Sequence, residues 1–115
     1  MSFVYAWTGV VHVLHSQRNA RVHLTVAGLV VLAALILRVS SSEAALLVVM
    51  IALVIAFEML NTVVEAIVDL VTDEYHPLAK IAKDVAAGAV LVMAIGAAGV
   101  GLLVLGPHLL RLLAR

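Results

Sequence analysis

From Ala44 to Phe57 the chain carries no polar side chain, and it then runs into FEMLNTVVEAIVDLV, where Asn61, Glu65 and Asp69 follow Glu58 at offsets of three, seven and eleven. At about 100° per residue these offsets place Glu58, Glu65 and Asp69 within roughly 20–40° of one another, with Asn61 about 60° to one side. A carboxylate at mid-bilayer costs at least about 2.5–3.5 kcal/mol. Three on one stripe therefore do not face hydrocarbon. They must meet another helix, a metal or a polar substrate, which marks the stripe as a candidate active site.

The solvent for such a chain is lipid. Of its 115 residues 65% are hydrophobic and 12% charged, and its mean hydropathy is +1.23. A soluble domain normally carries about 25% charged residues. The formal net charge is zero, so no basic surface argues for nucleic acid. Absence of cysteine excludes disulfide, thiolate and zinc-thiolate chemistry. The first residues, MSFVYAWTGVVHVLH, lack a basic region ahead of the apolar run and do not read as a signal peptide.

Three apolar segments follow, over about 22–39, 44–71 and 80–106. At 1.5 Å per residue the second would reach about 42 Å, longer than a hydrocarbon core of about 30 Å, so its last turns leave the bilayer. Counted from Ala44, Glu58 lies about 21 Å along and Glu65 about 31 Å, one just inside the far interface and the other at the headgroups. Ser41 or Ser42 can cap the second helix, with Glu43 favourable near its start. Asp73-Glu74-Tyr75-His76-Pro77 breaks that helix, and Gly106-Pro107 is expected to end the third. Residues 2–18 mix Tyr5, Trp7, His12, His15, Gln17 and Arg18 with apolar residues and read as a helix lying in the interface. The fold class is all-α integral membrane: an N-terminal interfacial helix plus three transmembrane helices in a single domain, 1–115. Arg18, Arg21, Lys80 and Lys83 fall on one side, and Arg38, Arg111 and Arg115 on the other. That small excess favours a cytoplasmic N-terminus and a cytoplasmic connection between the second and third spans.

The common nucleotide motifs are missing. There is no GxxxxGK[ST], the glycines of the third span do not form GxGxxG, and HExxH is absent. What remains is Glu58-x-x-Asn61-Thr62-x-x-Glu65-Ala66-x-x-Asp69, then Glu74-Tyr75-His76-Pro77-Leu78, then Ala82-Lys83-Asp84-x-x-x-Gly88-Ala89-Val90-Leu91. In residue type, spacing and order these blocks resemble the prokaryotic diacylglycerol kinase and undecaprenol kinase family of small membrane lipid kinases. Tyr5-x-Trp7-x-Gly9 and Asn19-Ala20-Arg21-x-His23 are similar to that family's surface helix and the start of its first span. The resemblance covers about residues 2–105.

The resemblance implies a homotrimer with active sites shared between neighbouring subunits, in the bacterial inner membrane with its chemistry on the cytoplasmic face. It implies an ATP- and magnesium-dependent lipid kinase. Glu58 would be the general base for a lipid hydroxyl, Glu65 would bind magnesium, and Asn61 would help hold the site. Lys83 would contact phosphate; Asp84, Glu74, Tyr75 and His76 would face the nucleotide, as would Tyr5 on the surface helix. The form HPLAKIAKDVAAGAVL looks more like the undecaprenol branch than the diacylglycerol one. Where many members carry a glutamate as second metal ligand this chain has Gln17, a neutral amide that can coordinate magnesium but supplies no charge. No Lys or Arg precedes Arg18 on the surface helix. Small residues such as Ala86, Ala87 and Gly88 would permit the close helix packing that assembly needs.

Without the resemblance, other readings stand beside these. Glu58 and Glu65 could pair with Lys83 or with amides at an oligomer interface. Asn61 could be a packing amide, Asp69 a solvated residue at a helix end, and Lys83 a snorkelling anchor. His76 alone would read as a loop residue. His12, His15, His23 and His108 do not converge at metal-ligand spacing and read as interfacial residues. A small ion-conducting oligomer would also use an acidic stripe, but Ala44–Phe57 offers no polar lining for the other half of a pore.

Overall fold

A single residue closes the turn between the first two long helices. Arg38 adopts left-handed geometry (φ 54°, ψ 54°), which is costly for a side chain bearing a Cβ. Its N–H and that of Val39 both return to the Ala34 carbonyl. Because the reversal is complete by Val39, the next helix starts early and its cap is Ser40, not Ser41 or Ser42 as the serine run suggests. Ser40 Oγ accepts the Glu43 N–H at 3.2 Å while Glu43 Oε1 accepts the Ser40 N–H at 2.9 Å, a complete capping box.

The computed structural model describes residues 2–115, which form four helices: α1 Ser2–Ser16, α2 Arg18–Leu37, α3 Ser41–Val71 and α4 Pro77–Leu113. No strand occurs among the described residues. The last three are long and apolar enough to cross a membrane. With 15 residues, about 22 Å, α1 is too short to do so. Gln17, extended at φ −112° and ψ 112°, turns the chain from α1 into α2. Arg21 then braces the corner, donating Nη1 to the carbonyls of Leu14 at 3.1 Å and His15 at 2.8 Å.

Pro107 does not end α4. The helix runs through it to Leu113, past the stop that Gly106-Pro107 predicts. Proline removes one N–H and leaves the Leu103 carbonyl without its usual partner. The segment beyond is tied down instead: Glu43, already in the capping box, also binds His108 Nε2 through Oε1 at 3.1 Å and Oε2 at 3.2 Å. Arg111 Nε adds a bond to the Pro107 carbonyl at 3.2 Å.

The bundle measures 59 × 35 × 21 Å, so its long axis exceeds a bilayer's hydrocarbon core of about 30 Å and the ends of α3 and α4 project. Its core is thin: Val13, Ala20, Ala27, Leu47, Val54, Val90 and Val104 are buried, whereas residues such as Leu70, Leu102 and Leu103 stand mostly exposed. So much uncovered apolar surface is tolerable only in lipid or against other subunits. α3 and α4 make the most extensive pairing, with Gly96 facing Met50. A Cβ on Gly88 or Gly101 would meet no atom within 4 Å.

Candidate active site

Helical periodicity aims the acidic stripe of α3 at its neighbours. Glu58 is the one buried polar residue among those described, 2% exposed. A carboxylate so desolvated needs a partner, and His23 of α2 supplies it, Nε2 to Oε1 at 3.3 Å. The Thr62 hydroxyl donates to the Glu58 backbone carbonyl at 3.0 Å, leaving the carboxylate to the imidazole. One helical turn on, Asn61 Nδ2 donates to Glu65 Oε1 at 3.2 Å, and the buried Asn61 Oδ1 has no hydrogen-bond partner. Next, Asp69 Oδ1 accepts from Lys83 Nζ of α4 at 2.6 Å. All three carboxylates thus meet side chains, as the cost of facing lipid requires.

The α3–α4 connection folds by local hydrogen bonds. Thr72 Oγ1 accepts the Glu74 N–H at 3.2 Å, and His76 caps α4, its Nδ1 accepting the Leu78 N–H at 3.1 Å, with Pro77 at the first helical position. An imidazole that accepts at Nδ1 carries its hydrogen on Nε2. Lys80 pairs with Asp84 one turn apart. These elements enclose an open hollow of about 370 Å³ lined by Asp69, Glu74, Tyr75, His76, Lys83 and Asp84, among others. The hollow therefore gathers the five residues of the connection and early α4 expected to face a nucleotide. Neither Tyr5 nor Gln17 lines it. Tyr5 stands exposed on α1; Gln17, half-buried at the α1–α2 corner, makes no capping bond with its side chain. Among the described residues no three His, Asp or Glu side chains stand together as a metal-binding group.

A second hollow, about 470 Å³, runs between α2, α3 and α4. Carbon lines it, from Ala27 and Val30 through Met50 and Val54 to Leu105 and Leu109. His23 is the only polar side chain among its described lining residues. The imidazole thus touches both an apolar groove and the buried carboxylate.

His23 has a partner that the sequence reading did not give it. Expected at the interface, it pairs with Glu58, and His108 likewise pairs with Glu43. A signal was present: His23 precedes Ser40 by 17 residues and Glu58 follows Ser41 by 17, so an antiparallel hairpin turning between the serines sets them at one depth. His12 and His15 are exposed on α1.

A family model described as prokaryotic diacylglycerol kinase matches residues 4–105. The chain is 47% identical over 114 residues to a protein of Synechocystis sp. named diacylglycerol kinase, an alignment covering 98% of this chain and 65% of that protein. It is 40% identical over 108 residues to a Bacillus subtilis protein named undecaprenol kinase, covering 94% of this chain and 88% of that one. The chain thus spans under two thirds of the cyanobacterial protein and most of the other.

Proposed function

This chain belongs to the prokaryotic diacylglycerol kinase family, and on that premise we propose that it transfers the γ-phosphoryl group of ATP to the hydroxyl of a membrane lipid. The observation that carries the reading is Glu58: a buried carboxylate paired with the one polar residue that lines an apolar groove, on the helix whose far end borders a charged hollow. A lipid chain in the groove brings its hydroxyl toward Glu58, which accepts the proton as the oxygen attacks phosphorus. The bond from the γ-phosphorus to the bridging oxygen breaks, and ADP leaves from the aqueous side.

Lys83 and the Nε2–H of His76 are donors in the hollow suited to phosphate, with Lys80 beside them, and the exposed Tyr75 ring offers a face to the base. Tyr5 closes over the nucleotide from α1. Glu74 and Asp84 accept hydrogen bonds from base or ribose, which carry no charge to repel them.

Magnesium bound with the nucleotide phosphates supplies neutralisation of the charge that develops on the transferred group. The donor set fits it: Glu65 is a hard anionic oxygen, and the unpartnered Asn61 Oδ1 is a hard neutral one beside it. Gln17, its amide unused in capping, is the neutral second ligand. Three protein oxygens, one of them charged, would hold the ion without an all-protein cage, which suits magnesium. The assembly is a homotrimer whose subunits complete one another's open hollows, in the bacterial inner membrane with the nucleotide on the cytoplasmic side.

For the acceptor we favour undecaprenol, on the form of residues 76–91 and on a relative of that name that the chain nearly matches in length. Diacylglycerol is the second reading, favoured by the higher identity to the cyanobacterial protein. Presenting both lipids in the same micelles with labelled magnesium-ATP tests the choice. Preferential labelling of undecaprenol supports the first reading, and preferential labelling of diacylglycerol replaces it with the second.

A further inference from the structure

We propose that His23 is a positioning residue for this reaction: its imidazole, with Nε2 3.3 Å from Glu58 Oε1, pairs with the carboxylate and so aims Oε2 at the acceptor hydroxyl delivered along the apolar groove. The inference rests on the lipid kinase reading and adds to it a residue and a role.

Glu58 needs such a clamp. A carboxylate turns freely about its last bond unless a hydrogen bond stops it, and a base must meet its proton within about 2.6–3.2 Å. Among the described residues His23 is the one side chain paired with this carboxylate, Nε2 to Oε1 at 3.3 Å. The nearby polar groups are engaged elsewhere: Thr62 with a backbone carbonyl, Asn61 with Glu65, Lys83 with Asp69, and Arg21 with the end of α1. Removing the imidazole leaves the carboxylate with neither orientation nor compensation for its burial.

His23 is itself well held. It lies little more than a turn into α2, beyond the corner that Arg21 braces and just after Ala20, which is fully buried at 0% exposure. Its side chain keeps 24% of its surface open, toward the groove. An amphiphile whose chain fills that groove has a carbon-lined path with one polar side chain on it, and its hydroxyl comes to rest where that side chain stands. The same imidazole therefore marks the end of the lipid path and fixes the group that takes the proton there.

The test compares wild type, His23→Leu and His23→Gln, each alone and with Glu58→Gln, in mixed micelles with magnesium-ATP and the lipid acceptor. Wild-type transfer that Glu58→Gln lowers establishes the underlying reading before His23 is judged. His23→Leu should then lower kcat by roughly 10- to 100-fold, the scale set by misplacing a reacting group, while KM for magnesium-ATP stays within about twofold. His23→Gln, which keeps an N–H donor, should recover a substantial part of the loss. In the Glu58→Gln background His23→Leu should cost almost nothing further, since a residue acting through another loses its effect when that one is gone. Equal losses from His23→Leu in both backgrounds, an unchanged kcat, or no rescue by glutamine would overturn the proposal. If His23→Leu fails to assemble, by gel filtration and circular dichroism, the His23→Gln series decides. An additive loss there, or a rise in KM for ATP in place of a change in kcat, is equally fatal.

Discussion

Lys83 reaches back across the α3–α4 connection to Asp69, Nζ to Oδ1 at 2.6 Å, and both partners of this ion pair line the charged hollow. Both side chains are substantially exposed, 41% and 64%, so solvent screens the pair and it adds little to stability. Its value lies in placement. Asp69 holds the ammonium at the hollow, where the proposed function has it meet phosphate.

Lys83→Met should therefore raise KM for magnesium-ATP at least about tenfold, the scale of one lost charge-assisted bond. KM for the lipid and the thermal midpoint should barely move. Asp69→Asn should shift KM for ATP far less. Initial rates against ATP and lipid, with unfolding curves in the same detergent, check all three.

At the other end of the bundle Glu43 does two jobs, capping α3 and holding His108 beyond Pro107. Ser40→Ala should lower stability by about 0.5–2 kcal/mol, the usual loss for a helix cap. Glu43→Ala should cost more, since it opens the capping box and releases His108 together. Because neither residue borders the charged hollow, turnover at low temperature should stay near wild type in both. Denaturation in mixed micelles alongside activity at 10–15 °C, well below the about 45–65 °C typical of mesophile unfolding, separates the effects.

The proposed role of Gln17 at the metal has a direct test. Gln17→Glu adds an anionic oxygen where the chain has a neutral one, and should lower the magnesium concentration giving half-maximal rate severalfold. An unchanged magnesium dependence would mean that this position is not a ligand. Asn61→Leu should move the requirement the opposite way, since it removes both the free oxygen and the amide that steadies Glu65.

The parts legible in the sequence were those that depend on neighbours along the chain. The acidic stripe follows from helical period, and the residues of the charged hollow lie close together across one short connection, Glu74 to His76 and Lys83 to Asp84. The rest needed the fold. Ser40 became the cap because Arg38 took a left-handed conformation that an arginine gives no hint of adopting. Pro107 failed to stop α4 because a glutamate 64 residues earlier secures the segment beyond it. His23 and Glu58, 35 residues apart, meet only when the α2–α3 hairpin is in register, and their equal spacing from the serine turn becomes informative once that turn is placed.

Glu58 is the centre of the account, and one substitution tests it most directly. Glu58→Gln keeps the shape and a hydrogen-bonding oxygen for His23 but cannot accept the acceptor's proton. Transfer of labelled γ-phosphate to undecaprenol and to a diacylglycerol should be present in wild type for at least one lipid. In the variant it should fall by at least roughly 100-fold, in line with the loss of a general base, with the assembly intact by gel filtration. A variant that phosphorylates lipid at the wild-type rate, or a wild type that labels neither lipid, would contradict it.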